Sequence, residues 1–274
     1  MGSSEGGCLR ANGMEDGAGR PGAGLDAYAA RLREVQEAVL SEERANLLEA
    51  ARLLSGSLDG DEQDRMIHVF GCGHSHLMAE EAFWRAGGLV PVHPILDPNL
   101  TLLGGLRTSP LERLEGYARV LLAGEDLRPG EVMVVFSNSG INALPLEVAL
   151  AAKEAGLGVV TVTSLAHSES VEPRHSSKRR LFELADVSID THVPTGDAAV
   201  DLSELAGGAE GHRVAPLSTA IGVLVWNALV AEVAYLRTVA GAEPSFFVSH
   251  NVPGGDEVNE TLVSRYRHRN KFYG

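Results

Sequence analysis

A doubly wound α/β fold built on a five-stranded parallel sheet is the architecture this sequence predicts, and three observations predict it. Five short apolar runs recur along the chain: RMIHVFGCG (65–73), GLVPVHPIL (88–96), EVMVVFSNS (131–139), GVVTVTS (158–164) and VSIDTHV (187–193). Helix-like stretches separate most of them, and a parallel return needs a crossover long enough to be a helix. Small polar residues collect where three runs end, in GCGHS (71–75), SNSGIN (137–142) and TSLAHS (163–168). In open parallel sheets, ligands sit outside those carboxyl ends.

Taken in order, residues 1–24 are rich in Gly and Ser without an apolar period, which predicts a disordered leader. From Leu25 to about residue 60, apolar residues fall three and four apart, the period of one or two amphipathic helices outside the sheet. The α/β core is expected over 65–240. Its last element is an apolar helix over 216–241 that packs on the core or on another copy of the chain. The segment 245–274 is polar, Gly-rich and without a clear period. Residues 25–274 read as one domain.

The 274 residues are 44% hydrophobic, enough to bury a full core. With 23 Lys and Arg against 37 Asp and Glu the net charge is −14, which argues against a nucleic-acid backbone or an anionic membrane as partner. No apolar run approaches a membrane span. Cys8 and Cys72 stand far apart, with no spaced pair and no cleavable leader, and this predicts a reducing, cytoplasmic setting.

In the first loop, Gly71 and Gly73 permit tight geometry, and Ser75 lies near a helix start, a favourable place for an anion. A plain strand-to-helix turn would look the same. In the second loop, Ser137 and Ser139 flank Asn138, Gly140 permits the turn, Asn142 can cap, and Pro145 suits the first helical turn. Hydroxyls and free amides there can satisfy several phosphate oxygens, although helix capping alone would also use them. Thr163 and Ser164 end the fourth run in the same way. Three such loops in one chain favour a shared phosphate site over three unrelated caps.

With their spacing, GCGHS, SNSGIN and VTVTS resemble the sugar isomerase (SIS) domain over roughly residues 35–240. FGCGHSH, RAGGL, INALPLE, PRHSSKRRLFELAD, PTGDA and NVPGGDEVN together resemble its single-domain bacterial phosphoheptose-isomerase-like, UPF0309-type group. The resemblance implies a flavodoxin-like sheet and a sugar phosphate held by Ser137, Ser139 and Asn142, with Ser75 across the crevice. Many members carry Thr or Ser where this chain has Asn142. Gly73, Asn138, Thr163 and Ser164 join the expected binding set, with His74 as a donor to a substrate oxygen.

Relatives abstract a proton next to a carbonyl, then isomerise the sugar or eliminate a group, and a carboxylate or His must take that proton. Several relatives place a Glu where this chain has Arg85. Glu81, and beside it Glu80, are the substitutes on the same helix, against the reading of a solvated acidic pair. In aminosugar-handling relatives a C-terminal segment covers the substrate. Here it offers His250 as acid or base, Asn251 and Asn259 as hydroxyl or acetamido partners, and Gly254 and Gly255 as hinges. Glu42 and Glu43 could reach a neighbouring subunit's site.

His74, His76, His167, His175 and His192 match no familiar zinc spacing, so no metal is expected. Arg174, Lys178, Arg179 and Arg180 bring positive charge that could meet a partner subunit's phosphate or simply form a solvated face. Cys72 reads as a small buried residue. The expectation is a cofactor-independent isomerase or dehydratase of an (N-acetyl)aminosugar 6-phosphate, working as a homodimer or tetramer. The alternative is a non-catalytic phosphosugar sensor.

Overall fold

The computed structural model describes residues 20–59, 64–208, 210–242 and 245–274. The expected leader lies outside the described residues except for 20–24, and the last of these already belong to the first helix, α1 (Ala23–Glu42). Glu43 interrupts the helical path before α2 (Arg44–Ser57). The predicted three-and-four spacing buries Val35 and Val39 of α1 and Ala50, Ala51 and Leu54 of α2.

The alternating region runs β1 (Ile67–Gly71), α3 (His76–Ala82), β2 (Val92–Pro94), α4 (Thr108–Glu112), α5 (Tyr117–Leu121), β3 (Val132–Phe136), α6 (Ala143–Glu154), β4 (Gly158–Thr163), α7 (Leu165–Ser170) and β5 (Val187–Asp190). All five strands lie inside the predicted apolar runs. They form one parallel sheet in the order β2-β1-β3-β4-β5, with Pro94, Val69, Val134, Val160 and Val187 in one register row. Every residue of β1 and β3 is buried, as expected of parallel strands covered on both faces. Alternate residues divide between two layers. Val69, Val134 and Val160 meet α1, α2 and α3, whereas Phe70, Met133 and Val135 meet α5 and α6. The chain leaves the sheet centre in opposite directions after β1, which places the topological switch point between β1 and β3.

Beyond β5 come β6 (Ala198–Asp201), α8 (Leu202–Ala206), β7 (Arg213–Pro216), α9 (Ser218–Val239) and α10 (Gly255–Ser264). The antiparallel β6–β7 pair and α10 were not expected from the sequence. By length and composition α9 could cross a membrane, although Asn227, Glu232 and Arg237 interrupt its apolar run. Its Ile221, Val225, Trp226, Leu229 and Val233 are buried at helical spacing, and the helix packs on α2 and α3.

The C-terminal segment runs along the outer edge of β2. The Val90 amide donates to the Ser245 carbonyl at 2.8 Å and the Phe247 amide to that of Gly88 at 2.9 Å. Asn270 Nδ2 reaches the Val92 carbonyl at 2.9 Å and Tyr273 Oη that of Val90 at 2.6 Å. Met66, Val90, Phe247, Val263, Tyr266 and Tyr273 form a separate apolar cluster here. Arg269, its side chain wholly buried, meets the equally buried Glu131 at 2.8 Å. Backbone pairing and aromatic burial therefore hold this segment against the edge of β2.

Candidate functional site

The first loop leaves β1 under two glycine constraints. A Cβ on Gly71 would stand 2.2 Å from the Ser75 carbonyl oxygen, and Gly73 has φ +58°. The Gly73 amide donates to the Leu100 carbonyl at 2.8 Å and the Ser75 amide to that of Cys72 at 3.0 Å, which locks the turn. Cys72 is buried inside it. Burial pushes its thiol well up, and the carboxylates of Glu112 and Asp97 add to the shift, so it is an unreactive thiol rather than a nucleophile. His74 points outward beside Ser75.

The second loop follows β3 at the switch point. Gly140 has φ +61°, and a Cβ there would stand 2.6 Å from Thr163 Oγ1. Its amide donates to Ser137 Oγ at 3.3 Å. The Ser164 amide and the Thr163 hydroxyl both donate to the Asn138 carbonyl, at 3.0 and 3.4 Å, which ties the end of β4 to this loop. Among the described residues, no protein acceptor takes the amides of Asn138 and Ser139.

These loops meet in a small crevice lined by His74, Ser75, Ser137, Asn138, Thr191, Ser218 and Thr219 over an apolar floor of Met78, Phe136, Val162 and Gly222. Four residues expected from sequence, His74, Ser75, Ser137 and Asn138, thus come together, while Gly73, Ser139 and Asn142 stand in the same two loops. Thr191, Ser218 and Thr219 were missed. Thr191 follows β5 and donates to Asn138 Oδ1 at 3.3 Å. Ser218 and Thr219 open α9, where Asp197 accepts from the Leu217 and Ser218 amides at 3.0 and 2.8 Å and from the Ser218 hydroxyl at 2.6 Å. The paired hydroxyls opening a long apolar helix were the available sequence signal.

The other expected residues are held elsewhere. Thr163 and Ser164 are fully buried. Ser164 Oγ caps α7 by accepting from the His167 amide at 3.1 Å, and donates to the Val193 carbonyl at 2.6 Å. Asn142 Nδ2 donates to Glu112 at 2.8 Å, and Asn142 Oδ1 accepts from Arg174 at 2.6 Å. Burial raises the Glu112 carboxyl above its ordinary range, with Asn142 and the nearby arginines opposing the shift. Glu81 pairs with Arg85 and accepts from Asn227 at 3.4 Å. Glu80 bonds His76 at 2.9 Å.

His250 and Asn251 lie at the far end of α3. The His250 ring stacks on Trp84 at 5.5 Å and bonds Asp256 at 2.7 Å and Asn259 at 3.2 Å. Asn259, buried, also brackets the Val248 backbone at 2.9 and 3.0 Å. The histidines go to separate partners: His167 accepts from the Gly196 amide at 3.4 Å, His175 bonds Ser177 at 2.7 Å, and His192 lies 3.5 Å from Glu43.

Residues 27–164 match the family described as SIS domain. A UPF0309 protein of Geobacillus kaustophilus is 42% identical over 246 residues, covering 89% of this chain and 95% of that protein. A UPF0309 protein of Brucella canis is 42% identical over 227 residues, covering 82% and 89%. Among solved structures, a phosphoheptose isomerase from Francisella tularensis superposes with a TM-score of 0.49 at 12% identity, covering 77% of this chain and 96% of that one.

Proposed function

The chain belongs to the SIS domain family, and on that premise we propose that its crevice holds an (N-acetyl)aminosugar 6-phosphate and that the protein abstracts the proton beside the sugar carbonyl. The observation that carries this reading is the convergence of Ser75, Ser137, Asn138, Thr191 and Thr219 on one crevice at the switch point, in a chain whose net charge is −14. Neutral donors fixed by backbone geometry can take a phosphate with little reorganisation. Ser137, Ser139 and the amides of Asn138 and Ser139 hold the phosphate in this reading, Ser75 closes it from the other side, and His74 donates to a sugar oxygen.

The base takes the C2 proton, the C–H pair becomes a C1–C2 double bond, and the carbonyl π pair moves onto O1, which takes a proton; the product is an enol carrying nitrogen at C2, or an enediol where C2 carries a hydroxyl. From the enediol, O2 gives up its proton to form the C2 carbonyl while C1 takes a proton, which completes isomerisation. From the enol, O1 gives up its proton, the double bond shifts to C2–C3 and the C3 hydroxyl leaves, protonated to water, which completes dehydration. Glu81, Glu80 and His250 remain the candidate bases. No cofactor enters these steps. Leu40 of α1, Leu47 and Leu48 of α2 and Tyr235 of α9 line a largely apolar groove edged by Arg44 and Glu232, which supports self-association as a dimer or tetramer.

A second reading, a phosphosugar sensor without chemistry, is favoured by one observation. His74 is the sole titratable group among the crevice-lining residues, while Glu80 and Glu81 are engaged with His76 and Arg85. The deciding experiment is a proton NMR time course in D₂O with N-acetylglucosamine 6-phosphate, glucosamine 6-phosphate, fructose 6-phosphate and sedoheptulose 7-phosphate. Loss of a C2 proton signal from the glucosamine phosphates, loss of a C1 proton signal from the two ketose phosphates, or new olefinic signals supports the enzyme. Unchanged spectra with line broadening from binding support the sensor.

A further inference from the structure

We propose that Arg174, rather than Asn142, supplies the side-chain donors that receive the phosphate group at the second loop. The inference rests on the sugar-phosphate reading and adds to it a charged residue that fixes preference for a phosphorylated ligand.

Asn142 keeps one side-chain N–H to offer an anion. Its amide group donates the other to Glu112 at 2.8 Å, its oxygen accepts from Arg174 at 2.6 Å, and the residue is 7% exposed. A phosphate drawing on that last N–H would have to reach a buried group beside the Glu112 carboxyl. Arg174 is exposed and bound to the same loop twice, through Asn142 and through its own amide, which donates to the Ile141 carbonyl at 2.9 Å. Its guanidinium carries five N–H donors in a rigid fork suited to phosphate oxygens, and the bond to Asn142 spends one of them.

The chain Glu112–Asn142–Arg174 therefore positions a cation at the loop. Glu112 fixes the Asn142 amide, and the Asn142 oxygen fixes the fork. Of the four basic residues between 174 and 180, Arg174 is bonded to the loop itself, whereas Arg179 reaches the Glu183 carbonyl at 2.8 Å. The loop also carries polar groups without protein partners among the described residues. Ser168 is fully buried beneath it, its Oγ 3.1 Å from where a Cβ on Gly140 would stand and without a hydrogen-bond partner among the described residues. The unspent amides of Asn138 and Ser139 lie in the same turn.

The test is calorimetric titration of N-acetylglucosamine 6-phosphate and of inorganic phosphate into the full chain, its R174Q, R174K, N142A and S137A variants, and the N142A/R174Q double variant. The Arg174 side chain is exposed and its backbone bond survives substitution, so these variants keep the fold. R174Q should raise Kd for both phosphates at least tenfold and flatten its dependence on salt. R174K should recover part of the loss, because it restores charge without the fork. The double variant should bind no more weakly than R174Q, since Asn142 acts through Arg174.

R174Q binding within twofold of the unaltered chain, while S137A loses binding, would overturn the inference and leave the phosphate loop standing. A greater loss in the double variant than in R174Q would overturn it too, by giving Asn142 its own contact. An unaltered chain that binds neither phosphate would remove the sugar-phosphate reading, and the inference with it.

Discussion

Gly140 joins the fold to the candidate site at a single backbone position, and replacing it with alanine would perturb both. At φ +61° an L-residue pays about 1–2 kcal/mol for left-handed backbone. The added methyl would stand 2.6 Å from Thr163 Oγ1 and 3.1 Å from Ser168 Oγ, both fully buried. Forcing a methyl into such a contact costs about 1–3 kcal/mol more. The loss for Gly140→Ala is therefore about 2–5 kcal/mol, within a total stability of about 5–15 kcal/mol for a natural protein. Urea unfolding followed by the fluorescence of Trp84 and Trp226 should show a midpoint about 1–2 M lower with an unchanged slope. The same shift of the loop should weaken sugar-phosphate binding. A midpoint within a few tenths of a molar of the unaltered chain would refute the claim that this turn needs glycine.

Arg269→Ala removes the guanidinium that faces the buried Glu131 carboxylate, leaving it the His68 ring at 2.8 Å and the Met66 and Arg128 amides at 2.9 and 3.1 Å, and should cost about 3–5 kcal/mol in the same urea assay. Glu112→Gln tests the buried carboxyl beside Asn142. Burial raises its folded pKa above the ordinary 4.5, so its contribution to stability is fully present below that value and lost as pH rises through the raised one. The Gln variant should track the unaltered chain in acid and gain on it as pH rises to neutrality, read as the difference in thermal midpoint across a pH series.

Much of the fold was legible because it is written locally. Val69, Val134 and Val160 sit in continuous apolar runs bounded by glycine and serine, and buried parallel strands take that form. The turns at Gly71 and Gly140 were equally visible, since positive φ and close backbone approach leave few alternatives. The β6–β7 pair was not, because each strand has four residues and a Gly-rich stretch lies between them. Helix α10 had a start signal in Asp256 and Glu257, but Val258, Leu262 and Val263 make too short an apolar stripe to set a helical period.

The candidate site divides in the same way. Ser75 and Ser137 follow directly from the strand-end pattern. Thr191 and Thr219 reach the crevice only through packing of β5 and α9, which no local period records. Contacts over long sequence separation also decide what Asn142, Arg174 and Glu112 do for one another, and they carry the C-terminal segment to the edge of β2.

The central claim is that the phosphate of a sugar phosphate is seated on the loop Ser137–Asn142. It is tested most directly by amide chemical-shift mapping of the ¹⁵N-labelled chain with N-acetylglucosamine 6-phosphate and, in parallel, with N-acetylglucosamine. The account predicts that the amides of Asn138, Ser139 and Gly140 move strongly with the phosphorylated sugar and hardly at all with the other. Equal responses to the two sugars, or shifts confined to residues away from this loop, would contradict it.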